Sequence, residues 1–193
     1  QPRITANGGR WAYSAYDVNG HQWILQSYQS GGTTGSFFTK IPGPLIPGAA
    51  SQAPAPAAMT PAGNVLVAIT KVGVNENLGR LSLWNWAIAN GTNSLTEVIV
   101  TALGTVSPLS VDVAVQSSGT ACISYGIGIA AGPQTRVDCG NATTIPKMAF
   151  QNGQSSIATR LAVTSAGNFQ LAYLAKDPLG SGLTLRNACF QKP

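Results

Sequence analysis

Six side chains supply every carboxylate in the 193-residue chain: Asp17, Glu76, Glu97, Asp112, Asp138 and Asp177. Glycoside hydrolysis needs two carboxyl groups facing each other across one bond, and these six stand singly, most of them in loop-like sequence or at the ends of apolar runs. A Ser-His-Asp triad would have to use His21, the only histidine, and no nucleophile-elbow sequence accompanies any serine. His21 follows Gly20 directly and reads as a solvated turn residue. Cys122, Cys139 and Cys189 have no zinc-site spacing and no second histidine to join them. These residues predict a protein without catalytic groups, metal or cofactor. What remains is binding chemistry. Recognition of a sugar uses an aromatic face beside planar polar groups, and the candidates are Trp11, Trp23, Tyr28, Trp84, Asn85 and Trp86. Trp84 and Trp86 share one strand face, so filling space between packed sheets is the alternative reading for them.

The charge balance narrows the partners. Eleven Lys and Arg against six acids give a net charge of +5, yet only 9% of residues are charged, where an ordinary domain has roughly a quarter. The basic residues lie singly from Arg3 to Lys192, without a cluster or interleaved aromatics, so the excess reflects scarce acids and not a phosphate-tracking stripe. Nucleic acid is not an expected partner. At 44% apolar residues the composition excludes a disordered chain, and no apolar run reaches the length of about 18 needed for a membrane span.

The elements that must position these residues appear as a repeat. Ala15-Tyr16-Asp17-Val18-Asn19-Gly20, Ala58-Met59-Thr60-Pro61-Ala62-Gly63, Ala114-Val115-Gln116-Ser117-Ser118-Gly119 and Ala162-Val163-Thr164-Ser165-Ala166-Gly167 all read Ala, four residues, Gly. In the last three units a β-branched and aromatic run follows: Val65–Ile69, Ala121–Tyr125 and Phe169–Tyr173. The first unit, Gln22–Gln26, is divergent. A second Gly, at Gly35, Gly79, Gly132 and Gly182, opens a further strand in each unit. Leu95–Ala102 reads as an additional strand, Thr143–Phe150 as another, and the Pro-rich stretch from Ile41 to Pro56 as a loop or edge. Each unit is a β-meander of about fifty residues.

Four such meanders resemble β-propeller repeats. In size the chain is similar to four-bladed, hemopexin-like propellers and in style to secreted propeller lectins, although it carries neither a hemopexin-type motif nor a Trp, Arg and Glu set in every unit. Asp17-Val18-Asn19-Gly20 resembles a calcium loop of integrin-type repeats, but the other three turns hold no carboxylate. The resemblance implies an all-β, four-bladed propeller of antiparallel meanders, a single domain over 1–193 with repeats near 9–50, 51–105, 106–152 and 153–193. Burial on both faces accounts for the unalternating second strand, with Val65, Val67 and Ile69 facing one neighbour and Leu66 and Ala68 the other. Arg3-Ile4-Thr5-Ala6 has no sheet of its own in this alignment and is expected to complete the last blade.

Folding the hairpin about Ala130 and Ala131 sets Cys122 opposite Cys139, so a disulfide is predicted there. Cys189 is left over, either as a buried free thiol or as a bridge to another chain. The start at Gln1 without Met or leader, and the sequons at Asn90 and Asn141, predict a secreted glycoprotein. The function expected from all this is a secreted, non-enzymatic, lectin-like protein that binds a glycan. The alternative is a structural, adhesive or effector-type extracellular protein that contacts cell-surface or extracellular proteins and forms homo-oligomers.

Overall fold

The computed structural model describes residues 3–7, 9–17, 22–29, 37–42, 55–71, 79–88, 93–104, 110–129, 132–141, 147–153, 156–176 and 182–190. Among them there are only strands and turns. β1 (Arg3–Asn7), β2 (Arg10–Asp17), β3 (Gln22–Gln29) and β4 (Phe37–Pro42) form sheet 1; β5 (Ala57–Met59), β6 (Val65–Lys71), β7 (Gly79–Ala87) and β8 (Ser94–Gly104) form sheet 2. Sheet 3 is β9 (Ser110–Val115), β10 (Ala121–Ile129), β11 (Gly132–Gly140) and β12 (Lys147–Asn152), and sheet 4 is β13 (Ser156–Val163), β14 (Phe169–Lys176) and β15 (Leu183–Phe190). Every sheet is an antiparallel meander in chain order, and the four are the blades of a four-bladed β-propeller. β1, β5, β9 and β13 are the strands through which successive sheets meet at the inner edge.

The pleat explains why β6 is apolar without alternation. Val65, Val67 and Ile69 pack with Trp23, Leu25 and Ile41 of sheet 1, while Leu66 and Ala68, on the opposite face, pack with Val111, Val113, Ile123 and Tyr125 of sheet 3. A third core joins Ala114, Cys122, Val137 and Cys139 to Leu161, Phe169, Leu171 and Tyr173. Three buried seams thus hold four sheets in series, and none of the cores joins sheet 4 to sheet 1 among the described residues. At about 25 cal/mol per Å² of apolar surface removed from water, these seams are the main source of stability.

The repeated turn joins the first and second strands of each blade. Gly63, Gly119 and Gly167 take φ of 86°, 86° and 81°, and each donates its N–H to the carbonyl three residues earlier, on Thr60, Gln116 and Thr164, at 2.9 Å. The left-handed conformation is open to Gly without steric cost. In sheet 1 the turn between the first and second strands holds Gly9, at φ 77°; Gly20 lies outside the described residues, between β2 and β3. The first repeat is therefore displaced by one strand from the alignment read in the sequence, and Ala15-Tyr16-Asp17 is the end of β2.

That displacement corrects the expected ring closure. Arg3–Asn7 does not complete the last blade; it pairs with β2 from Arg3↔Ser14 to Asn7↔Arg10 as the first strand of the first blade. A hairpin closed at Gly9 places it there at lower loop-closure cost than any long-range pairing. Sheet 4 has three strands among the described residues. The ends of the Pro-rich stretch are ordered against the chain, Pro42 closing β4 and Ala55 accepting a hydrogen bond from Ser14 Oγ at 2.6 Å.

Candidate functional site

The predicted disulfide forms between directly opposed residues of β10 and β11, with Cys122 and Cys139 Cα atoms 4.1 Å apart. Cys189 is an exposed free thiol, so its reading as a buried one is set aside. Among the described residues no sheet covers the face of β15 that carries Cys189.

The residues proposed from sequence for ligand binding are spread over different faces. Trp23 is 3% exposed and Trp86 fully buried, both in the seam between sheets 1 and 2. The Trp86 indole N–H donates to Asn93 Oδ1 at 2.7 Å, and Trp84 packs half-buried against the same core. Asn85 lies on the other face of β7, where it pairs with Leu66. Tyr28, like Trp11, lies on the opposite face of sheet 1, against which none of the three cores packs among the described residues. His21 and the Asn90 sequon residue lie outside the described residues; Asn141 is exposed at the end of β11.

That face of sheet 1 gathers an aromatic and polar cluster, the candidate site. Trp11 on β2 and Tyr28 on β3 are cross-strand partners, and their rings stack with centroids 4.3 Å apart at 21°. Tyr13, two residues along β2, lies 6.5 Å from Trp11 at 26°. Its cross-strand partner Gln26 accepts the Tyr13 hydroxyl at Oε1, at 2.5 Å, and donates through Nε2 to the Tyr28 hydroxyl. The planar amide is thereby fixed between two phenols. Ala6 stands opposite Trp11 on β1 and Ile4 opposite Tyr13, leaving no bulky cross-strand side chain against the outer side of the indole. At the far end of the same face Asp17 Oδ2 accepts from Gln22 Nε2 at 3.2 Å. The face is an aromatic ladder with a hydrogen-bonding amide beside it and a carboxylate at one end. Aromatic bodies with polar tips suit ligands that are apolar on one side and hydroxylated at the edge.

Sequence reasoning missed Tyr13 and Gln26. The signal was present as period-two spacing, Trp11/Tyr13 and Gln26/Tyr28, and was lost because the first repeat was aligned one strand late.

The other acids are tied into the framework. Glu97 Oε1 accepts from Ser82 Oγ at 2.7 Å, and Asp112, the only carboxylate on the four innermost strands, accepts the Leu161 N–H of the next sheet at 2.9 Å. Asp138 is 2% exposed; it accepts the Tyr125 hydroxyl and pairs with Arg136 at 3.2 Å. Burial first, and then the charge of Asp138, pushes the Tyr125 phenol above its ordinary value of 10. Glu76 and Asp177 lie outside the described residues. Among the described acids no two share one face of one sheet, and no group of three or more His, Cys, Asp or Glu is placed to hold a metal.

The fold defines the class as a propeller. No protein-family model and no curated protein matches the sequence. Solved structures do match along nearly the whole chain. An alpha-L-arabinanase from Penicillium chrysogenum complexed with arabinobiose superposes with a TM-score of 0.60 at 11% identity, covering 97% of this chain and 61% of its own. An alpha-L-arabinofuranosidase from Fusarium graminearum in complex with an iminosugar inhibitor gives 0.60 at 9%, over 99% and 62% of the two chains. An endo-arabinase from Bacteroides thetaiotaomicron gives 0.53 at 9%, over 97% and 73%. The chain spans about three-fifths of the length of the first two of these structures.

These matches correct the expectation of a non-enzymatic lectin-like or adhesive protein. The fold is one that enzymes cleaving arabinose glycosides carry, so scattered acids in a linear sequence are no argument against catalysis. Spacing along the chain does not report distance in space.

Proposed function

We propose that the chain is a carbohydrate-active propeller of the glycoside hydrolase class, directed at arabinose-containing oligosaccharides, with the open face of sheet 1 holding the sugar chain. The observation that carries the reading is the superposition of all four sheets on arabinan-cleaving enzymes, one of them bound to arabinobiose. In this reading Trp11 and Tyr28 offer the stacking surface, the Gln26 amide and Tyr13 hydroxyl bond sugar hydroxyls, and Asp17 accepts from a hydroxyl at the end of the ladder. Hydrolysis itself needs a pair of carboxyl groups across the scissile bond, and we assign that pair to no described residues. The cross-strand disulfide supports an oxidising, extracellular setting, in which Asn90 and Asn141 are glycan acceptors.

The test is incubation of the chain with arabinobiose and longer arabino-oligosaccharides, with calorimetric titration and chromatography of released arabinose. Saturable binding with release of arabinose is expected. Binding without release leaves a sugar-holding fragment and overturns the hydrolase class; neither binding nor release overturns the whole reading.

A further inference from the structure

Sheets 1, 2 and 3 each end in a fourth, outer strand, β4, β8 or β12, whereas sheet 4 ends at β15 among the described residues. β15 pairs with β14 through eight consecutive residues, Leu183↔Lys176 to Phe190↔Phe169, without a register break. It is a long, regular edge of the kind that proteins usually blunt with Pro, Lys, a bulge or a covering segment. β15 has no Pro and no Lys, and its single charge is Arg186. Leu183 and Leu185 stand 54% and 65% exposed beside that edge. Ala172 and Leu174, cross-strand partners of Asn187 and Leu185, lie half-buried on the same face.

We propose that this edge receives β15 of a second copy of the chain, antiparallel about a two-fold axis at Asn187, so that two three-stranded sheets become one of six strands. The register follows from the pleat. Leu183, Leu185, Asn187 and Cys189 share one face of sheet 4, and Thr184, Arg186, Ala188 and Phe190 the other. A two-fold axis normal to the sheet keeps like faces together, so it must pass through a residue and not between two. Centring it on Arg186 sets two guanidinium groups directly opposite, which destabilises a cross-strand pair. Centring it on Asn187 pairs Leu185 with Cys189 of the second copy, Arg186 with Ala188, Thr184 with Phe190, and the two Asn187 amides with each other. Apolar meets apolar, the cations are separated, and the contact closes on itself as an isologous interface does. The site is filled by a strand at the corresponding place in the other three sheets, which is what argues for a strand as occupant. In this register the two Cys189 thiols are held four residues apart along the strands, so the association is non-covalent.

The proposal is independent of any sugar chemistry, and its test is the solution mass of the Cys189→Ser chain, which removes adventitious disulfide dimers. A concentration-dependent dimer is expected. Asn187→Lys and Asn187→Glu, both at an exposed position, should each be monomeric and should unfold like the Cys189→Ser chain at dilutions where that chain is itself monomeric. Mixing the two should restore dimer with an association constant at least tenfold above either alone, since only residue 187 faces itself. A chain that stays monomeric at all concentrations overturns the proposal. So does a dimer that survives both single substitutions, or a mixture that remains monomeric.

Discussion

Trp11 and Tyr28 face each other across β2 and β3 with their rings 4.3 Å apart and 21° from parallel, on the side of sheet 1 against which none of the three cores packs among the described residues. Trp11 is 39% exposed, so the pair contributes surface more than core. Trp11→Ala should weaken binding of arabino-oligosaccharides about tenfold, or about 1.4 kcal/mol, while unfolding stability changes by no more than about 1 kcal/mol. Titration calorimetry alongside urea unfolding separates the two effects.

Trp86 provides the contrast. It is fully buried and its N–H is bonded to Asn93, so Trp86→Ala both opens a cavity and strands an acceptor. A loss of about 3–5 kcal/mol is expected, read from the denaturant midpoint.

Tyr125 links acidity to stability. Its folded-state value lies above the unfolded value of 10, so the contribution is full below pH 10 and declines as pH rises past 10, where only the unfolded chain ionises. Tyr125→Phe leaves Asp138 without one donor and should cost about 1–3 kcal/mol at neutral pH. It should also flatten the alkaline decline by one proton, which thermal unfolding at a series of pH values measures.

Gly126 on β10 sits directly against the start of β13. A Cβ there would lie 2.1 Å from the Ser156 carbonyl oxygen and 2.6 Å from its Oγ. Gly126→Ala must push the backbone of sheet 4 away from sheet 3, with an expected loss of about 3 kcal/mol or more. At Gly119 a Cβ meets open space and only the φ of +86° opposes it, so Gly119→Ala should cost about 1 kcal/mol. Equal losses at the two positions would contradict this account.

The disulfide closes a loop of sequence separation 17, which chain entropy values at about 3 kcal/mol. Cys122→Ala with Cys139→Ala should lower the melting temperature by roughly 6–12 °C for a chain of this size.

The repeat was legible in the sequence because Gly63, Gly119 and Gly167 occupy one strained turn, and strain restricts residue type. The first blade was not, because Ala15-Tyr16-Asp17-Val18-Asn19-Gly20 matches the turn pattern while Ile4-Thr5-Ala6-Asn7-Gly8-Gly9 opens on Ile instead of Ala, and its strands meet at Asn7↔Arg10 where those of the second blade meet at Met59↔Val65. That one-strand shift sent Arg3–Ala6 to the wrong sheet and hid Tyr13 and Gln26 from view. Burial of individual tryptophans was beyond the sequence for another reason. Trp11 and Trp86 stand on equally apolar strands, and their exposure depends on whether a further sheet packs over that face. The non-enzymatic reading rested on the spacing of six acids along the chain, and spacing along the chain does not report distance in space.

Arg10 lies at the rim of the first seam. Its guanidinium donates to the Ile88 carbonyl of sheet 2 at 2.9 Å and to Gln29 Oε1 at 3.0 Å, and it stands 5.7 Å over the Phe37 ring. One side chain therefore joins β2, β3 and β4 of sheet 1 to the residue that follows β7 of sheet 2, immediately beside Trp11 in sequence. Sheet 1 cannot hinge away from its neighbour at this rim without breaking a charge-assisted bond.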